Sequence, residues 1–275
     1  TVPELRWHGR WRDRDVLVQQ ALPVWRQAGL RRGAAVARAM VELSGACGLA
    51  VAPFGESAYH DRLLRRLEAT AGFGTGPGTG IPAGTGAGDR AIGRAAVPGQ
   101  ESVGRALWRA GREAFAKAGG LCLTFGAWHG DWTPWNTHVT GDAVLVWDWE
   151  RFATGVPVGM DALHWRFQSM VDAGTPASVS AAALPHQAAR LLDPFGVPPA
   201  AARFTALLYL LDMGARYLAD GLDTRPQRLG DLASWLLPVV ARETGLDLGT
   251  GRTPAPGQPG APGGPGAVVG ARGEG

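Results

Sequence analysis

The chain has 275 residues, with 27 Lys or Arg against 24 Asp or Glu and a formal net charge of +3. That balance excludes the dense positive charge of a nucleic-acid binder, and no apolar run reaches the roughly 18 residues that a membrane-spanning helix needs. The 41 Gly and 20 Pro are too many for one evenly packed globule and lack the G-x-y period of collagen, so they must be concentrated somewhere.

In chain order, Leu5 to Pro23 places short apolar runs on either side of RWRDRD, which predicts a small hairpin or two edge strands rather than a helix. The alanine-rich stretch 31–49 and the stretch 57–70 suit helices. Residues 72–90 and 249–275 hold most of the surplus glycine and proline; neither can bury enough to offset the entropy of ordering, which predicts a flexible surface loop and a disordered tail. Ser102 is placed to cap a helix over 102–117 that sets Val103, Leu107, Ala110 and Phe115 on one side. Beyond residue 155 the periodicity predicts helices over 160–172, 176–193, 200–221 and 231–243, the last capped by Asp231. There is no internal repeat and no heptad run.

Two cysteines, Cys47 and Cys122, lie in apolar stretches and fit reduced thiols better than a disulfide framework. The opening TVPELRWHGR has neither a basic leader nor an apolar core, so it shows no signal peptide. Together these features predict a cytoplasmic protein. With Thr1 at the start, the chain is expected to begin inside a longer reading frame.

The segment LCLTFGAWHGDWTPWNTHVTGDAVLVWDWERF stands apart. Leu121 to Phe125 reads as a strand and His129-Gly130-Asp131 as a polar turn. Thr137–Val139 can pair with Ala143–Trp147 across a glycine-containing loop at 140–142. Folding that hairpin brings Asn136, entering it, next to Asp148, leaving it. Two oxygen ligands would then face one point, enough for a Mg²⁺ ion only if nucleotide phosphates supply the rest. Asp131 would be placed to orient a hydroxyl and take its proton.

HGDWTPWN followed by VWDWE resembles the catalytic loop and metal-binding strand end of the aminoglycoside phosphotransferase and choline-kinase-like family. The resemblance implies an α+β, protein-kinase-like fold, mainly the helical C-lobe with a catalytic-loop β-hairpin and remnant N-lobe strands. It implies Asp131 as the catalytic base, Asn136 and Asp148 as Mg²⁺ ligands that also bind the nucleotide, His129 as a support of the loop, and Glu150 as a weaker outer candidate. It further implies that Asp161, in GVPVGMDALHW, braces the loop from a buried helix start. Residues 1–23 are similar to the last N-lobe strands and hinge, with adenine near 18–23; 24–248 would be the C-lobe carrying the 72–90 insertion. The implied cofactors are ATP and Mg²⁺, and the family's phosphate-pairing lysine would precede residue 1. Lys117, the only lysine, reads as solvent-facing.

Against the family reading stand simpler ones. The three polar residues could belong to a surface loop, and Trp132, Trp135, Trp147 and Trp149 could form an aromatic wall, with at least two of them in the core. The scattered histidines show no zinc-ligand spacing. The leading expectation is an ATP-dependent phosphotransferase acting on a hydroxyl of a small molecule. A non-catalytic kinase-like binding or scaffold protein is the second reading, and an oxygen-ligand metallohydrolase the third. The acids Asp161, Asp172, Asp212 and Asp220 are candidates for attracting a polyamine-like acceptor, with no nucleic acid or membrane as partner.

Overall fold

The computed structural model describes residues 3–21, 32–73, 101–140, 143–221 and 231–247. The glycine-rich stretch from 74 to 100, the tail from 248 and the hinge from 22 lie outside the described residues, and with them most of the expected loop and all of the expected disordered tail.

The described residues form a mixed α+β fold with three short antiparallel sheets. Strands β1 (Leu5–Trp11) and β2 (Arg14–Gln19) form a two-stranded ribbon. Its two-residue turn has Arg12 and Asp13 at φ 48° and 62°, the doubly left-handed backbone that matches strand twist in tight hairpins. Helix α1 (Arg32–Gly45) follows. Strand β3 (Ala50–Pro53) pairs with β4 (Cys122–Trp128), which pairs in turn with β7 (Ala153–Pro157). Strands β5 (Thr137–Thr140) and β6 (Ala143–Val146) make the third sheet.

Helices α2 (Ala58–Thr70), α3 (Val103–Ala118), α4 (Met160–Asp172), α5 (Ala177–Leu192), α6 (Pro199–Ala219), α7 (Leu232–Trp235) and α8 (Leu237–Thr244) enclose the main core. Side-chain oxygens cap three of them: Ser57 accepts from the His60 N–H, Ser102 from Arg105 and Asp231 from Ala233. Helix α6 is buried on all sides over an unbroken run from Thr205 to Ala215, so it is the central rod on which the others pack. A smaller core sits under the third sheet, where Val36 and Met40 of α1 meet Trp132, Val139, Val144 and Val146.

Several local expectations change. The helix expected over 31–49 stops at Gly45 and the chain then enters β3. Residues 231–243 form two helices, because Pro238 in the first turn of α8 cannot donate to the preceding turn. Cys47 and Cys122 are free and exposed despite their apolar neighbours in sequence. Among the described residues no helix is long and apolar enough to cross a membrane.

Candidate active site

The turn His129–Asp131 leaves the end of β4 and sits above α4. Gly130 has φ 85°, and an added Cβ would lie 2.5 Å from the Arg151 carbonyl oxygen, so the turn needs glycine on both counts. Asp161, fully buried in the first turn of α4, accepts the His129 N–H at 2.7 Å and the Gly130 N–H at 3.0 Å. Burial pushes its carboxyl up to about 6 against the pull of those two N–H bonds.

The His129 ring fastens the turn to the third sheet. Its Nε2–H donates to the Trp147 carbonyl at 3.0 Å and its Nδ1 accepts the Asp131 N–H at 3.2 Å. A carbonyl can only accept, which fixes that tautomer. Burial holds this imidazole below its ordinary range, outweighing the Trp147 hydrogen bond. At the hairpin's ends the Trp147 N–H donates to the Asn136 carbonyl at 3.3 Å, so the register that begins with Thr137 opposite Val146 continues into the loop.

Asp131 is the centre of this network. Its Oδ2 accepts the Asn136 Nδ2–H at 2.9 Å, and that amide also bonds the Asp131 carbonyl at 3.1 Å. Its Oδ1 lies 3.1 Å from His164 Nε2, while His164 Nδ1 lies 3.0 Å from the Tyr209 hydroxyl. Burial lowers the pKa of the His164 imidazole and raises that of the Tyr209 phenol. The phenol therefore keeps its proton and donates to Nδ1, and a neutral His164 donates Nε2–H to the carboxylate. Burial alone would raise the Asp131 pKa, but the His164 hydrogen bond, the neighbouring imidazoles and the Arg216 guanidinium outweigh it and hold the carboxyl below its ordinary value. Asp131 is thus ionised at neutral pH and half-exposed, with its orientation set from both sides. Arg216 Nη1 closes the assembly by donating to the Gly130 carbonyl at 2.8 Å.

The structure brings together His129, Asp131, Asn136 and Asp161. Asp148 stands one residue beyond Trp147, exposed and at φ 67°, with no hydrogen bond into the network. Glu150 is exposed and lies 3.7 Å from Arg151 Nε. The expected cofactors, ATP and a Mg²⁺ held by Asn136 and Asp148, are corrected: among the described residues no group of three or more His, Cys, Asp or Glu could hold a metal ion. The Asn136 amide nitrogen instead fastens Asp131. The metallohydrolase reading fails on the same finding.

Of the four tryptophans, Trp132 alone is buried; Trp147 and Trp149 are half-buried and Trp135 is exposed, so the expected pair of core indoles is one. His164, Tyr209 and Arg216 carried no motif: they lie among apolar residues of α4 and α6, and only the packing of α4 against α6 reveals them.

Comparisons of the chain with protein-family models, with curated proteins and with solved structures each returned no match.

Proposed function

We propose that the protein is a phosphotransferase that moves a phosphoryl group onto a hydroxyl of a small molecule, with Asp131 as the base. The observation that carries this reading is the Asp131 carboxylate, ionised and fixed by His164 and Asn136 at the mouth of a loop whose sequence, HGDWTPWN, resembles a kinase-like catalytic loop. In the reaction the acceptor hydroxyl hydrogen-bonds to Asp131, its oxygen forms the new O–P bond, the proton passes to the carboxylate, and the donor's bridging P–O bond breaks with its electron pair leaving on the donor oxygen. The transition state for such transfer is loose, so a base of depressed pKa suffices: it orients the nucleophile and takes the proton late. On this reading the α+β body is a kinase-like C-lobe.

The test is transfer of labelled phosphate from a nucleoside triphosphate to a panel of hydroxyl compounds. Asp131→Asn keeps the shape and loses the proton acceptor, so transfer falls by about 10²–10⁴ while the melting curve stays cooperative. Undiminished transfer in a folded Asp131→Asn protein overturns the assignment.

A second reading, a non-catalytic binding protein on the same scaffold, is favoured by one observation: no metal-holding group occurs among the described residues. Absence of transfer to every acceptor, with binding retained, selects it.

A further inference from the structure

Beside the Asp131 loop a cavity of about 300 Å³ opens between α2, the end of β4, β7 and α6. We infer that this cavity binds a small anionic polyhydroxy compound, one oxyanion and at least two hydroxyls, as the acceptor of the transfer proposed above; the inference rests on that reading for the word acceptor and on the cavity alone for the binding.

Size sets the first limit. Ligand pockets run from about 300 to 1,000 Å³, so this one takes a single small molecule and not a multi-ring polyamine. Charge sets the second. Four arginines face three carboxylates across the walls, an excess of one positive charge. Arg66 is paired with the buried Asp212, and Arg151 with Asp220 at 2.8 Å. Arg62 has no carboxylate partner among the described residues: its Nη2 donates to the carbonyls of Thr154 at 3.1 Å and Gly155 at 2.7 Å. The acids expected to attract a polyamine, Asp212 and Asp220, are therefore already neutralised by arginine.

Unmet hydrogen bonds set the third limit. Trp128 and Arg216 both line the cavity, and their buried Nε1–H and Nε–H groups have no protein acceptor. Asp212, 1% exposed, leaves its Oδ2 without a donor, since Arg216 Nε is 3.8 Å away, beyond hydrogen-bond reach. Buried polar groups are rarely left so. Arg216 Nε and Asp212 Oδ2 face each other as an ion pair too long for a direct hydrogen bond, which suits a hydroxyl that bridges them, and the orphan Trp128 Nε1–H beside the excess positive charge suits an oxyanion. Trp128 immediately precedes His129, and Arg216 bonds Gly130, so a molecule seated on these two residues lies against the base of the loop that carries Asp131.

The test is calorimetric titration of the full chain with gluconate, glucose 6-phosphate, sorbitol and spermidine. One of the two anions binds at least tenfold tighter than sorbitol, which tells carboxylate from phosphate, and spermidine does not compete. Arg62→Gln loses tenfold or more of that affinity, Arg62→Lys loses less, and wild-type binding weakens with added salt. Tighter binding of spermidine, equal binding of sorbitol, or salt-independent binding overturns the inference, and these three rest on the wild-type chain alone. Binding and transfer are read separately on the wild-type chain, which separates the outcomes. Transfer without anion preference removes the acceptor assignment and leaves the phosphotransferase; anion binding without any transfer does the reverse.

Discussion

Among the described residues, a hairpin with strands of seven and six residues and one with two strands of four are held in opposite ways. The β1–β2 ribbon exposes nearly every residue, including Trp7, Trp11 and Leu17. In the β5–β6 hairpin β5 alternates buried and half-buried positions and β6 is buried from Val144 to Val146, and Val139, Val144 and Val146 seat the hairpin on α1 and Trp132. A two-stranded hairpin is marginal by itself in water, so the second owes its geometry to the layer beneath it. That layer fixes Asn136, at one end of the hairpin, and Trp147, at the other, closely enough for them to organise Asp131 and His129.

The comparison can be broken most forcefully at its anchor. Trp132→Ala removes the largest side chain of the small core and costs about 3–5 kcal/mol, measured by urea unfolding. A loss below about 1 kcal/mol would mean that the hairpin stands without the layer. Next in size, Gly130→Ala forces a side chain into left-handed backbone against the Arg151 carbonyl and costs about 1–3 kcal/mol. Its transfer activity falls with the displacement of Asp131. Wild-type stability and activity in this variant would show that the loop has room to adjust.

A subtler difference lies in pH dependence, which belongs to the site half of the molecule. Asp161 titrates near 6 in the fold against an ordinary 3.8, so the folded state binds the extra proton, and its contribution to stability is full below about pH 4 and lost as pH rises to about 6. The buried His129 and His164, with lowered pKa values, act with the opposite sign: their contribution is present above about pH 6.5 and lost as pH falls through their folded pKa values. Asp161→Asn isolates the first effect. The stability difference, variant minus wild type, climbs between pH 4 and 6 and is flat above; a flat difference throughout would refute the buried-carboxyl account. The smallest effect is at the ribbon, where Trp11→Ala, at a side chain 59% exposed, changes stability by no more than about 0.5 kcal/mol.

What could be read from the sequence follows the same division. The ribbon, the capped helices and the β5–β6 hairpin are local: Asp231 caps its helix because the cap lies two residues from its donor, and pairing across 140–142 depends on a short turn. Asp131 and Asn136 were legible because five residues of loop fix their relation. His164 and Tyr209 were not, because their link to Asp131 spans 33 residues in one step and 45 in the next and depends on how α4 packs against α6. The proposed Mg²⁺ pair failed for a related reason. The hairpin does bring its ends together, but Asp148 stands exposed without a hydrogen bond to the loop, and among the described residues no third His, Cys, Asp or Glu joins a metal-holding group there.

Helix α6 carries Tyr209, Asp212 and Arg216 on successive turns, so one rigid rod is shared by the relay behind Asp131 and by the wall of the arginine-lined cavity. Divergence in what the cavity accepts is therefore constrained on α6, where a change that retunes the wall also disturbs the base. Arg66, on α2, is tied to the same rod through the buried Asp212, whereas Arg62 hydrogen-bonds only to backbone carbonyls of β7 among the described residues, so a new specificity in a descendant of this chain would arise at Arg62 first.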